Sequence, residues 1–545
     1  EKGGKAVRVF EIYEIGFPTP VSTQYIYKEN SQRGGKDVIL TVIETKEMGL
    51  DQAISVQKRW KDIEEKADPI TGTKNTALVS HIENYELELN NPVSIQLDWK
   101  VVENNRLVTL TLTYQGDLSQ LSIGNALLTD VQKSYRESQD VSVIESYEPL
   151  TGLDAPVNTQ KIHQELITTE EGKKRLVKVI ENSEYGFTDF PTIQKIYYDI
   201  RKTETGGVNP RVVQVVENIA MLGGSPFTIS VQYVFRRLDD VYAHENGKQV
   251  KGQHFVTVIE TYEGLPDKEG LKDKFLTQIQ KDYFVIDGNK LKRASAYYEI
   301  GLPDTPISIQ YIYKKVEGNR VYTYIETYEL GLDEPVSTQK IWKEFDVGRN
   351  YFITHVLIYE LGVELVSEQI IWKQKENING ESTIVTYTNT FEFGLEYPTS
   401  TQRSYKYIDI EKNRFVQVIE NYEPLLGLTE ATSVQKIYHD YVKTSDGKTR
   451  LAKVIENYEY GIDGPAAIQN VYYDERKLSD GTIRIVQVVE NIMAIGGTRY
   501  IESVQYIYHK MEDVISDLGN HDLKKTRLVL VTETWEGDFN AGLDE

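Results

Sequence analysis

The chain has 545 residues, no cysteine and a formal net charge of −22, from 61 Lys and Arg against 83 Asp and Glu. That length holds several sizeable cores, while the missing cysteine excludes disulfides, thiol nucleophiles and thiolate-bound zinc or iron–sulfur centres. An acidic surface without a basic patch argues against nucleic acid as a partner, and no run of 18 apolar residues is present to make a transmembrane helix.

Read from the N-terminus, the sequence is one motif written again and again. A glutamine marks the second half of each unit, at Gln24, Gln57, Gln96, Gln132, Gln160, Gln194, Gln232, Gln280, Gln310, Gln339, Gln369, Gln402, Gln435, Gln469 and Gln505, a period of about 34 residues. A longer period lies on top of it. The string VVQVVENIAMLGG, ending at Gly224, returns as IVQVVENIMAIGG, ending at Gly497. Residues 1–285 therefore read as a first block of eight units and 286–545 as a second, whose last unit is incomplete. Both ends fall inside the motif, so a longer repetitive polypeptide is expected.

Each unit predicts two strands. VQVIENYE, Val416 to Glu423, is β-branched and aromatic, as is SVQKIYHD, Ser433 to Asp440. Between such halves stands turn chemistry, as at Gly331, Leu332, Asp333 and Pro335. Asp-Gly or Asn-Gly joins successive units at Asn246-Gly247, Asp287-Gly288, Asn379-Gly380, Asp446-Gly447 and Asp480-Gly481, which is hairpin chemistry. The fold class is all-β: tandem hairpins in one antiparallel meander of about thirty strands. So long a meander must spiral, close or be covered. Odd and even units look alike, which favours a spiralling or stacked array over an eight-bladed propeller.

Three residues beyond each glutamine lies an aromatic: Tyr27, Trp60, Trp99, Tyr135, Tyr197, Phe235, Tyr283, Tyr313, Trp342, Trp372, Tyr405, Tyr438, Tyr472 and Tyr508, with His163 the exception. These read as a stabilising aromatic ladder along the sheet, with glycan stacking as the functional alternative. The glutamines read as a second, structural ladder, their amides stacking on one another from unit to unit, Gln402 on Gln435 on Gln469. Glu-x-Tyr-Glu recurs from Glu83, Glu326, Glu420 and Glu456. A dozen equivalent carboxylates are not the unequal pair of a glycosidase, and cross-strand ion pairs with Lys161, Lys195, Lys340 and Lys436 are expected instead. The eight histidines show no ligand spacing, and no cofactor is implied. The acidic excess suits weak Ca²⁺ binding at most, and no oxygen-ligand spacing singles out a site.

Tyr472, Tyr473 and Asp474 followed by Asp480, Gly481 and Arg484 resemble the YD repeats of RHS and teneurin-type proteins. The resemblance implies a long spiralling β-hairpin shell. Taken together, the sequence leads to the expectation of a non-enzymatic structural protein of the cell exterior or cell surface: an acidic, Tyr-rich filament, sheath, stalk or adhesin that self-associates. Strand addition between Val529–Glu536 of one chain and Val7–Glu14 of the next is one expected route. The alternative is a closed β-shell or propeller that presents or encloses a glycan or toxin domain.

Overall fold

The computed structural model describes residues 7–536, apart from turn segments 87–91, 116–126, 150–154, 186–191, 299–305 and 425–429, and runs of up to four residues at other turns. Nothing is described of the side chains of 221–222, 245, 264–275, 364, 381–382, 483–485, 494–500, 509–530 and 536. Among the described residues thirty-one strands, β1 (Val7–Ile12) to β31 (Asp522–Glu536), form one sheet. Each pairs antiparallel with its neighbours in sequence. Among the described residues β1 and β31 do not pair with each other, so the sheet is neither a closed barrel nor a propeller. The boundary between the sequence blocks falls inside β16 (Gly270–Asp287) without interrupting the pairing.

Local chemistry explains the reversals. In the turn inside a unit, the Leu50 amide donates to the Glu47 carbonyl at 3.1 Å, with Gly49 at φ +81° as the third turn residue; Glu459, Gly461 and Ile462 repeat this. A positive φ at that place favours glycine. At the hairpin tips Gly288, Gly447 and Gly481 have φ of +64°, +76° and +80°. Gly331, Asn246-Gly247, Asn379-Gly380, Asp446 and Asp480 lie outside the described residues.

The ladder does not return to the same register from one hairpin to the next. Gln435 on β26 (Ser433–Lys443) faces Asn457 on β27 (Thr449–Glu459), and Asn457 faces Ala467 on β28 (Ala467–Lys477), two residues short of Gln469. The sheet is thus sheared by two residues at this hairpin. It also winds back on itself. Glu47 at the end of β3 (Lys36–Glu47) meets Lys314 on β18 (Pro306–Glu317) at 3.3 Å. Glu86, ending β5 (Lys74–Glu86), meets Lys343 on β20 (Ser337–Asp346) at 3.2 Å, and Glu184, ending β11 (Lys174–Glu184), meets His439 on β26 at 2.6 Å. Each contact joins strands fifteen apart, so one winding takes about fifteen strands.

The core lies on one face. Val416, Val418, Tyr438, Val454 and Ile468 form one buried cluster on four successive strands. What covers this face is the sheet's own hairpin tips, which curl over strands further on. Asp68, at the tip after β4 (Ser55–Ala67), bonds Lys133 on β8 (Leu127–Arg136) at 3.2 Å. Ser445, at the tip after β26, donates its amide to Glu490 on β29 (Ile483–Ile495) at 2.7 Å. The longest hairpin, β14 (Ser225–Glu245) with β15 (Lys248–Asp267), reaches far enough for the His244 amide to donate to the Tyr311 hydroxyl at 2.9 Å.

Candidate functional site

Glutamine and aromatic stand three residues apart on a strand, so they emerge on opposite faces. One face carries amides, the other tyrosines. On the amide face, the ladder glutamines do not stack on one another. Gln57, Gln160, Gln194, Gln402, Gln435 and Gln469 each donate to an asparagine of the next strand, at 2.7–3.1 Å. Asn84, Asn218, Asn421 and Asn491 pass the bond on to a serine hydroxyl at 2.9–3.0 Å. The stacked-amide expectation fails for a geometric reason: successive glutamines sit two strands apart, roughly 9–10 Å, and the shear moves them further. Gln435→Leu therefore orphans one half-buried carboxamide, on Asn457. We expect it to cost roughly 0.5–1.5 kcal/mol in denaturant unfolding; a loss above about 3 kcal/mol would restore the stacked ladder.

The tyrosine face is organised by its glutamates. In Glu-x-Tyr, the carboxylate receives one phenol from its own strand and one from the ladder tyrosine of the preceding strand. Glu145 accepts from Tyr135 at 2.8 Å and Tyr147 at 2.7 Å, Glu456 from Tyr438 and Tyr458 at 2.8 Å each. Glu326 and Glu420 repeat the clamp. Burial first, and the Glu456 charge and hydrogen bond second, push the Tyr438 phenol well above its ordinary pKa. Ladder residues of adjacent units do not form a continuous stack, because each faces a side chain on the intervening strand. Tyr438 lies between Val416 and Val454, while Trp342 stacks on His355 and Trp372 on Tyr387, with centroids 4.6 and 5.0 Å apart.

The lysines that follow the glutamines do make ion pairs, but with other carboxylates than Glu-x-Tyr-Glu. Lys161 pairs with Glu137 at 3.2 Å, Lys195 with Glu165 at 2.8 Å and Lys340 with Glu317 at 2.5 Å. Hydrogen bonds from Lys315 and Lys340 hold the Glu317 pKa down to about 2. Lys436 lies over the Tyr458 ring at 4.6 Å. Glu137, Glu165 and Glu317 lie nearer the hairpin tips than the clamp glutamates, although Arg403, one beyond Gln402, does reach the clamp glutamate Glu420 at 2.6 Å. Only the pattern of tip acids could have signalled this from sequence.

Beneath the tip of β26 and β27 is a cavity of about 1050 Å³, lined by Arg414, Tyr438, Glu456, Asn470, Arg476 and Glu490 among others. Arg414, Arg476 and Glu490 are all engaged. Arg414 pairs with Asp409 and Asp440, Arg476 with Asp474, and Glu490 accepts from Tyr472, Asn470 and Ser445. Among the described residues no group of three His, Asp or Glu side chains could hold a metal ion.

Between windings lies a different kind of contact. The second glutamate of the motif, or its counterpart, stands at the end of a strand in the first winding and meets the residue four beyond a glutamine in the second: Glu47 with Lys314, Glu86 with Lys343, Glu184 with His439. Glu148, whose pKa burial raises, lies in the field of Lys406 and Lys373. Phe17 packs edge-on against Phe284, four beyond Gln280, at 6.5 Å. No family model matches the chain, and no curated protein matches it.

Proposed function

We propose that this is a non-enzymatic structural repeat protein of the cell exterior, building a filament, sheath or stalk by self-association. The observation that supports this best is the seam. One winding of the sheet already receives the next through a contact repeated along the chain, a rule that needs no special end unit. The groups on the tyrosine face are engaged with one another, as befits a wall. The extended hairpin shell that the YD-type resemblance implies is in keeping with this reading. Negative-stain imaging of the purified chain at rising concentration is expected to show elongated, length-distributed particles. A compact, monodisperse particle would sink the proposal, and if it also bound a polysaccharide panel, an open shell around a glycan would replace it.

A further inference from the structure

The seam has two unlike sides, and each winding exposes the side it does not use. In the second winding, Lys314, Lys343 and His439, four beyond a glutamine, meet glutamates of the first winding, and six beyond Gln402 the Ile408 side chain is only 7% exposed, although Lys343, Lys373, Lys406, Lys375 and Glu475 at these positions keep exposed surface. In the first winding the same positions face solvent. Lys28, Lys61, Lys100 and Arg136, each four beyond a glutamine, are exposed and have no ion-pair partner among the described residues. Beside them runs an apolar stripe, Val102 opposite Leu107 being 74% and 57% exposed.

The other side shows the reverse. Glu47 and Glu184 of the first winding are half-buried in the seam, as are the adjoining turn residues Leu50 and Tyr185. Their counterparts in the second winding face solvent: Glu329, Glu360, Glu392 and Glu423 are exposed and have no ion-pair partner among the described residues, and Phe393 in the adjoining turn is 72% exposed. Tyr441 departs from the pattern, staying exposed six beyond Gln435.

We propose that a second copy of this chain docks head to tail on these rows, the basic and apolar face of its first winding seating on the acidic turn rim of the second winding below. This rests on the filament reading and names its interface. Three observations select the occupant. The charges are complementary, each row repeats once per hairpin, and the same residue types in the same register already make the seam within the chain. Such a contact is heterologous, so it does not close on itself and propagates as an open helix. The glutamates and lysines set register and sign, while the apolar stripe and the turn aromatics supply contact area.

A charge swap tests it. Lys61→Glu with Lys100→Glu reverses one face; Glu360→Lys with Glu392→Lys reverses the other. Each double variant alone is expected to associate about ten- to a hundredfold more weakly than the parent in sedimentation velocity. Mixed one to one they should recover parental assembly, since each then meets an opposite face. All four positions are exposed, so circular dichroism and melting should be unchanged and misfolding is separable from lost contact. Parental particles that elongate while both variants elongate equally well would overturn this interface and leave the filament reading standing. Failure of the mixture to recover would also overturn the interface. A parent that stays a single compact particle would overturn both.

Discussion

Between pH 10 and about pH 12 the protein is expected to lose its sheet in a steep alkaline transition. Tyr135, Tyr147, Tyr197, Tyr313, Tyr328, Tyr405, Tyr438 and Tyr472 all have phenol pKa values raised by burial and by a bonded or neighbouring glutamate. An unfolded phenol ionises near pH 10, whereas the folded ones hold their protons to higher pH. Above pH 10 the native state therefore binds more protons than the unfolded one, and stability falls as pH rises. The stabilisation is complete below pH 10. At pH 11 each such tyrosine withdraws roughly 1 kcal/mol after allowance for solvent screening, and eight of them rival the whole stability of an ordinary domain, about 5–15 kcal/mol. Absorbance at 295 nm and far-UV circular dichroism should change together. Smooth phenol titration centred on pH 10 with the β signal intact would show that the clamps do not exist.

Glu490→Ala should be among the most damaging single changes at a carboxylate. The Glu490 side chain is 1% exposed and accepts from the Tyr472 hydroxyl at 2.9 Å, Asn470 Nδ2 at 3.2 Å and the Ser445 amide at 2.7 Å. Alanine orphans three buried donors and frees the hairpin tip that Ser445 ties down. Each orphan costs roughly 1–3 kcal/mol, partly recovered by water from the adjoining cavity, for a net of about 3–5 kcal/mol. Glutamine keeps a carbonyl acceptor and should recover around half of that. Glu423→Ala, at an exposed strand end, should stay within about 0.5 kcal/mol. Denaturant unfolding decides it: if Glu490→Ala and Glu423→Ala cost the same, the buried hub has been misread.

The meander was legible in the sequence because its signals are local. Gly49 and Gly288 announce turns through their own backbone needs, and Val416–Glu423 announces a strand through its side chains. The opposition of glutamine and tyrosine faces also follows from an odd spacing along one strand. Partners on other strands were not legible. That Gln435 bonds Asn457 rather than Gln469 depends on a two-residue shear, which no residue encodes alone. The clamp on Glu456 was half visible in Glu-x-Tyr, and its second phenol needed the same register. Least visible was the meeting of Glu47 with Lys314, 267 residues apart, because it depends on curvature accumulated over fifteen strand pairings. A basic residue four beyond the glutamine, at Lys28, Lys61, Lys314 and Lys343, was the one trace the seam left.

The duplicated block and the winding differ in length by one strand. A block is eight hairpins, sixteen strands, whereas strands fifteen apart are the ones that meet. The two periods act as a vernier. A residue and its duplicate are offset azimuthally by one strand in fifteen, about 24°, so the first strand of a unit in one winding lies over the second strand of a unit in the next, as β3 over β18 and β11 over β26, which is what brings an acid to a base. Had the winding held sixteen strands, duplicates would stack like on like, Glu over Glu. The long β14–β15 hairpin and its duplicate, β30 (Thr498–Asp517) with β31, come out nearly one above the other, and β31 does touch β16 and β29 touch β15. Anything carried on that hairpin would be displayed along the tube as a slow spiral stripe and not as a ring.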